Sequence, residues 1–279
     1  TYNIASSTPV PVVVRIDNIV DAGTQPVDHS FDVYLQKASN DATAIDANDV
    51  HCVISDVGEY TVGGLHWEAR TDLSTVTARQ SNFNVDASDK VDGLITGSFS
   101  SAVVLQQVIT SNDAGWSASW THGGASGNPP TASTIYVGKH VGADSDITRV
   151  DETVGFIVIE QGSGTENGVS YDAALGADTI DGVDTDGNSY TAPSIDYRHG
   201  IASQNAMDGG DGGWAVLFGA APLAGSAIDV AIDEDDIGDA ERNHTTEQVA
   251  YWLFEPVNVA DLEVSIDDGS ATYTPGTDS

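Results

Sequence analysis

The residues best suited to chemistry in this sequence are carboxylates and amides in an acidic loop, residues 178–190. Asp184, Asp186 and Asn188 stand at positions i, i+2 and i+4, with a glycine between the last two. Oxygen atoms at this spacing converge on a hard cation, and Tyr190 is placed to add its carbonyl oxygen. The sequence therefore predicts a calcium site formed by Asp184, Asp186, Asn188 and Tyr190.

An EF-hand is excluded at this loop because two of its required residues are missing. Counted from Asp184, the sixth position is Ser189 instead of glycine, and the twelfth is Ile195 instead of glutamate. The alternative to a looser calcium site is a solvated acidic linker.

A second acidic stretch, Asp-Glu-Asp-Asp at residues 233–236, is the densest carboxylate run. So much charge is costly unless it is solvated, screened by salt or bound to cations. We expect a solvated surface loop here in preference to a metal site. Shortly after it, Asn243 begins the one Asn-x-Ser/Thr sequon of the chain, so the sequence predicts glycosylation at Asn243, with a purely turn-forming role as the alternative.

The sequence lacks the motifs of common enzyme classes. It contains no HExxH and no GxSxG, and the glycine-rich stretch 207–214 lacks the Lys-Ser/Thr of a phosphate-binding loop. His244 precedes an apolar run, where we expect it to form hydrogen bonds in a turn instead of acting in catalysis. We therefore expect no enzymatic activity and no cofactor other than the candidate Ca²⁺.

The charge balance excludes several classes of partner. The formal net charge is −34, from 43 acidic and 9 basic residues, so no basic patch can neutralise the phosphates of a nucleic acid. The acidic excess indicates a saline medium in which counterions screen self-repulsion, with an ordinary secreted acidic protein as the alternative.

Three further features of the sequence bear on its setting. No run of about 18 apolar residues is present, so we expect no membrane insertion. The start at Thr1, with no initiator methionine, is expected for a processed chain. The single cysteine, Cys52, is expected to be a small buried core residue.

The elements that carry these residues are predicted to be strands, because short alternating runs recur between Gly, Asp, Asn and Ser clusters. Val249, Tyr251 and Leu253 point one way and the apolar residues between them point the other, as in a central strand covered on both faces. The same pattern of apolar residues begins at Val50 and at Val154, so the three copies of the pattern are 104 and 95 positions apart (154 minus 50; 249 minus 154).

This spacing predicts three diverged copies of one module. The expected fold is all-β, with three tandem antiparallel β-sandwich modules over residues 1–97, 98–190 and 191–279, and neighbouring copies sharing sheets. Further strands are predicted at residues 12–16, 31–35, 65–69, 103–109, 116–120, 134–137, 169–173, 194–201, 214–218, 228–232 and 262–266.

In the first copy the opening strand, residues 2–5, is short. A shortened strand leaves a sheet edge that a neighbouring subunit can fill by strand addition, and the N-terminal segment can equally be the donated strand. The residues predicted to take part in such assembly are Tyr2, Ile4, Val10, Val12 and Val14. The alternative is a frayed terminus on a complete domain.

One run resembles a known module. From Ala231 to Glu255, an acidic stretch with Glu241-Arg242 precedes His-Thr-Thr-Glu and an apolar strand, which resembles a module of secreted bacterial and archaeal surface proteins. It is also distantly similar to the β-sandwich of H-type lectins. The second copy keeps the glutamate as Glu152. The resemblance implies an extracellular β-sandwich used in adhesion or assembly, and it transfers neither a catalytic centre nor a lectin binding residue.

These observations predict an extracellular structural protein at the cell surface. It would be the subunit of a filament or surface layer, with copies of itself as partners, assembled through β-strand addition or edge contacts. The first alternative is a glycan-binding adhesin in which exposed tryptophans stack on sugars. A weaker one is an ancillary domain of a secreted hydrolase.

Overall fold

A computed structural model describes residues 1, 3–4, 10–20, 30–45, 49–62, 64–84, 87–91, 93–166, 168–193, 197–238, 240–256, 266–267 and 270–272. Within these ranges the chain forms strands and short 3₁₀ turns, at Gln80–Asn82 and Val183–Thr185, and it has no α-helix. Accordingly, no helix in the described ranges is long and apolar enough to cross a membrane. The prediction of an all-β protein is confirmed.

The strands are numbered in chain order. They are β1 (Asn3–Ile4), β2 (Val12–Val20), β3 (Ser30–Lys37), β4 (Gly58–Val62), β5 (Leu65–Ser74), β6 (Thr77–Ala78), β7 (Asp89–Lys90), β8 (Ala102–Val108), β9 (Ala118–His122), β10 (Tyr136–His140), β11 (Glu152–Glu160), β12 (Gly162–Glu166), β13 (Val169–Leu175), β14 (Asn188–Thr191), β15 (His199–Gln204), β16 (Trp214–Phe218), β17 (Ala227–Asp233), β18 (Val249–Phe254), β19 (Ile266–Asp267) and β20 (Ser270–Thr272).

Among the described residues these strands form five small sheets. Their orders are β1-β16-β17-β14, β4-β5-β11-β8, β12-β13-β18-β15 and β19-β20-β3-β2, and a fifth sheet has β10 between β9 on one side and β6 and β7 on the other. Pairing is antiparallel except between β1 and β16 and between β6 and β10. The sheets lie in a propeller-like ring, so three separate sandwiches are not evident.

Two of the sheets share one plan. In β4-β5-β11-β8 and in β12-β13-β18-β15, a hairpin comes first in the chain (β4–β5 or β12–β13). The outer strand at the edge of the sheet comes next (β8 or β15), and the central strand comes last (β11 or β18). Between the outer and central strands the chain forms another hairpin, β9–β10 in one case and β16–β17 in the other. Both sheets join strands from either side of the predicted module boundaries at 97 and 190, and β14 itself spans residue 190. The three-module division stays a prediction.

The predicted central strands β11 and β18 pack on both faces. Val249, Tyr251 and Leu253 lie in one core cluster with β16 and β17, while Ala250 and Trp252 lie in another against β8. In β11 the side chains of one face lie in a core with β8 and β10, and those of the other face lie in the core shared with β18. The alternation predicted from sequence is confirmed for both strands, because successive side chains of a strand point to opposite faces.

The prediction of a central strand starting at Val50, in the first copy, is wrong. Val50 forms an isolated bridge and residues 51–57 belong to no strand. Cys52, expected in the core, is exposed. The physical reason is that no described hairpin pairs with this segment, so its alternating side chains are not covered on both sides.

Candidate functional site

A run of carboxylates that the sequence predicted to lie at the surface is buried inside the protein. Asp233, Glu234 and Asp235 are at most 2% exposed, so the prediction of a solvated surface loop is wrong for these three residues.

Each of the three carboxylates has its own compensating partner. Asp233 accepts a hydrogen bond from Nε of Arg242 at 2.8 Å, and Asp235 accepts one from the backbone N–H of Ala143 at 2.7 Å. Glu234 lies 3.1 Å from Nδ1 of His244. Buried charge is tolerated when it is paired and hydrogen-bonded in this way.

His244 lies between two buried glutamates. Its Nδ1 contacts Glu234 and its Nε2 lies 3.0 Å from Glu247, so the predicted hydrogen-bonding role is confirmed. Burial works to lower the pKa of His244, but the hydrogen bonds and charges of Glu234 and Glu247 outweigh it and raise the pKa to about 9. Burial raises the pKa of Glu234 to about 7, with His244 opposing the shift. Gly209 packs so closely on the imidazole ring that a Cβ atom there would come within 2.3 Å of it.

The glutamates at the start of the central strands share one structural role. Glu247 accepts hydrogen bonds from the backbone N–H groups of Asp208 and Gly209, in the loop after outer strand β15. Glu152, likewise two residues before the first valine of its central strand, accepts them from two consecutive N–H groups, those of Asn112 and Asp113, in the loop after β8. Each glutamate is fully buried and ties its central strand to the neighbouring loop.

The cation beside each glutamate differs between the copies. Glu247 has His244, whereas Glu152 has Arg15, whose Nη2 lies 3.5 Å away and whose side chain is fully buried. Comparison of the copies within the sequence identified Glu152 and Glu247 but not Arg15. The available signal was a lone cation inside the apolar run Val-Val-Val-Arg-Ile, which is costly to bury without a partner.

The predicted calcium ligands lie in the described part of the chain, and several of their polar groups form hydrogen bonds with other residues of the chain. The carboxylate of Asp184 accepts the N–H of Arg242, and the amide of Asn188 donates to Thr179. The hydroxyl of Tyr190 donates to the carbonyl of Ala177. Within the described ranges no group of three or more His, Cys, Asp or Glu residues is arranged to hold a metal ion. The calcium site stays a prediction from the sequence alone.

Asn243, the predicted glycosylation site, is exposed in the turn before His244. Its backbone N–H donates to the carboxylate of Glu241 at 2.8 Å. Exposure is the property that modification requires, and glycosylation itself stays a prediction.

The tryptophans are largely inside the protein. Four of the five are less than 9% exposed, and Trp67 is half-buried against Tyr60 at a ring separation of 5.2 Å. Trp116 and Trp120, whose wet face the sequence left open, both point inward, and Trp116 packs against Trp214 at 5.6 Å. None of the five tryptophans is classed as exposed, and the partly buried Trp67 already stacks on Tyr60.

Four of the predicted assembly residues at the N-terminus lie in the described part of the chain, Ile4 in a backbone pairing and three valines in a core. Ile4 pairs with Phe218 at the edge of the β16 sheet, through the two-residue parallel strand β1. Val10, Val12 and Val14 are at most 6% exposed and lie in one core cluster with β9 and β16. Tyr2 lies outside the described residues.

An apolar groove of about 180 Å³ runs beside the segment 51–57. Its other walls come from β2, β5, β8, β9, β11, β15 and β16. Three large apolar side chains on its lining are exposed, Ile19 at 44%, Ile54 at 46% and Val57 at 61%. Exposed apolar side chains grouped along a cavity are typical of an interaction surface.

The comparisons with known proteins identify no relative. No family model, no curated protein and no solved structure matches this chain.

Proposed function

We propose that the protein is an extracellular structural subunit that forms a filament or surface layer through β-strand addition or edge contacts. The observation that carries the proposal is the apolar groove and the segment 51–57 beside it. This segment has the alternating sequence of a central strand, yet no described strand pairs with it. A segment with no strand partner among the described residues, next to exposed apolar side chains, offers both the backbone groups and the apolar surface that strand addition uses.

The charge of the chain supports the saline setting of this proposal. At a formal charge of −34, two copies repel each other at low ionic strength, and the repulsion is screened within about 3 Å at 1 M salt. We therefore infer that association through the groove requires high salt. The three-module organisation belongs to the same proposal and is supported by the strand order that two of the sheets share.

The test is assembly of the full chain in molar salt, followed by sedimentation velocity and negative-stain microscopy. We expect Val57→Lys, at the groove, to raise the concentration for half-assembly at least about tenfold, because burying an unpaired charge costs more than 1.4 kcal/mol. Ile147→Lys is the matched control, since Ile147 is similarly exposed at 52% but does not line the groove. Wild-type protein that stays monomeric at high concentration in molar salt would rule the proposal out.

No comparable structural observation supports either of the two alternative functions. A glycan-binding adhesin based on tryptophan stacking lacks an exposed tryptophan in the described chain. For an ancillary domain of a secreted hydrolase the described chain offers no supporting feature, and the side chains of His244 and its two glutamates are at most 3% exposed.

A further inference from the structure

Loop 205–213, between β15 and β16, is tied down from inside the protein. The N–H groups of Asp208 and Gly209 donate to the carboxylate of Glu247, which is fully buried. Four of the nine loop residues are glycines. Because glycine loses more conformational freedom on ordering than any other residue, the order of this loop depends strongly on its tethers.

The tether on Glu247 depends in turn on the charge of His244. Nε2 of His244 lies 3.0 Å from Glu247, and Nδ1 lies 3.1 Å from Glu234. An ionised carboxylate only accepts hydrogen bonds, so a ring between two ionised carboxylates must donate from both nitrogens, as the imidazolium ion does. In the described chain the ion pairs of both glutamates are made with His244.

The ionisable groups around this cluster are mostly acidic. His140, at the end of β10, is neutral, because burial and the charge of His244 lower its pKa to about 3. Arg242 pairs with Asp233. The other charged groups that act on the cluster are the carboxylates of Asp208, Asp211 and Glu241. A proton lost from His244 therefore leaves two buried glutamates in acidic surroundings, which is costly.

Loop 205–213 also covers the imidazole ring. A Cβ atom at Gly209 would come within 2.3 Å of the ring, so the backbone of the loop lies directly on it. Water can reach His244 from this side only when the loop moves away. Loss of the proton and movement of the loop are therefore coupled.

Loop 109–117, between β8 and β9, has the same kind of tether with a different cation. The N–H groups of Asn112 and Asp113 donate to buried Glu152, and Nη2 of Arg15 lies 3.5 Å from that carboxylate. The guanidinium also donates to the loop carbonyls of Thr110, Asp113 and Gly115. Arginine keeps its proton throughout the pH range of proteins, so this tether does not titrate through its cation.

We infer that His244 is a proton-controlled latch: when it loses its proton, loop 205–213 opens, while loop 109–117 stays closed on Arg15. The latch acts within a single chain, so it operates whether or not the protein assembles. In the closed state the pKa of His244 is raised from 6.5 to about 9, and in the open, hydrated state it returns towards 6.5. Closure is therefore strongest below pH 6.5, and each pH unit from there to 9 raises the opening constant by up to about tenfold.

The experiment measures hydrogen exchange of dilute wild-type protein at pH 7.5 and pH 9, by millisecond labelling and peptide mass spectrometry. Both values lie above the pKa of Glu234, about 7, so His244 is the group of this pair that titrates between them. Protection factors, corrected for the intrinsic exchange rate, should fall about 30-fold at Asp208 and Gly209. At Asn112 and Asp113 they should fall less than about threefold.

His244→Asn identifies the group that carries the proton. Asparagine is neutral at both pH values, so loop 205–213 should already be weakly protected at pH 7.5 and should lose no further protection at pH 9. If this variant does not fold, the comparison of the two loops in wild-type protein decides the outcome by itself.

Three results would overturn the latch. Equal falls in both loops would show a general loss of stability in place of local opening. Constant protection at Asp208 and Gly209 would show that the proton of His244 does not hold the loop. The wild-type fall persisting in His244→Asn would assign the proton to another group.

Discussion

Replacement of Glu152 by glutamine should destabilise the protein strongly, because it breaks a buried network without changing side-chain size. Glu152 is fully buried and accepts hydrogen bonds from two backbone N–H groups, the hydroxyl of Thr110 and the guanidinium of Arg15. Glutamine removes the charge, turns one acceptor into a donor facing other donors, and leaves Arg15 buried without its carboxylate. Removing one partner of a buried pair costs about 3–5 kcal/mol.

Glu160→Gln is a matched control that separates the effect of burying the charge from the effect of the backbone hydrogen bonds. Glu160 also accepts two consecutive backbone N–H groups, those of Ser100 and Ser101 at 2.7 and 2.8 Å, but it is partly exposed. Glu160→Gln should therefore cost about 1 kcal/mol, the usual value of an exchangeable hydrogen bond. Glu152→Gln should cost at least about 2 kcal/mol more.

The assay is urea unfolding at constant high salt. With an m-value of roughly 3 kcal/mol/M, the expected loss for Glu152→Gln moves the midpoint down by about 1–2 M. The double variant Glu152→Gln/Arg15→Met should lose about 1–3 kcal/mol less than the sum of the single variants, because the two residues share one network. A loss below about 1 kcal/mol for Glu152→Gln, or a loss equal to that of Glu160→Gln, would refute the reasoning.

Two further predictions concern protons and calcium. The folded-state pKa of His244 is raised from 6.5 to about 9, so its contribution to the free energy of unfolding is full below pH 6.5 and is lost as the pH rises to 9. This change is on the order of 3 kcal/mol. The pKa of Glu234 is raised from 4.5 to about 7, so its contribution falls in the same direction between pH 4.5 and 7. Urea titrations across pH 6–9 should show a smaller fall in His244→Asn than in wild type, because only the contribution of Glu234 then remains, and an identical slope in both would contradict the assignment to His244. Ca²⁺ at 100 times its dissociation constant, added after chelation, should stabilise the fold by about 2.7 kcal/mol through residues 184–190. Calorimetry should show this shift in wild type and lose it in Asp186→Ala, while an unchanged melting temperature in wild type would count against the site.

The strands themselves were largely predictable. The predicted segment 214–218 is strand β16 with the same ends, and 169–173 lies within β13. These segments alternate or are continuously apolar between turn residues, and such patterns depend on neighbours close in sequence. The segment starting at Val50 has the same pattern and yet lies in no strand, because a strand also needs a partner that local sequence does not supply.

The buried charges were not predictable in the same way. An acidic run normally favours solvent, and residues 233–236 were accordingly expected on the surface. Their burial depends on Arg242, His244 and a backbone N–H from residue 143, which the fold brings together. Arg15 and Glu152 lie 137 positions apart in the chain, so their contact could not be inferred from spacing.

The sequence by itself determined the all-β class, the two apolar faces of the strands at Val154 and Val249, and the recurrence of a glutamate before each. These follow from side-chain alternation and composition, which are properties of the chain. Only the tertiary structure decided which strands pair across the copies, because backbone hydrogen-bonding groups are the same at every strand edge. It also decided that the segment after Val50 lies beside an apolar groove without a strand partner among the described residues, since that depends on where a hairpin distant in sequence is placed.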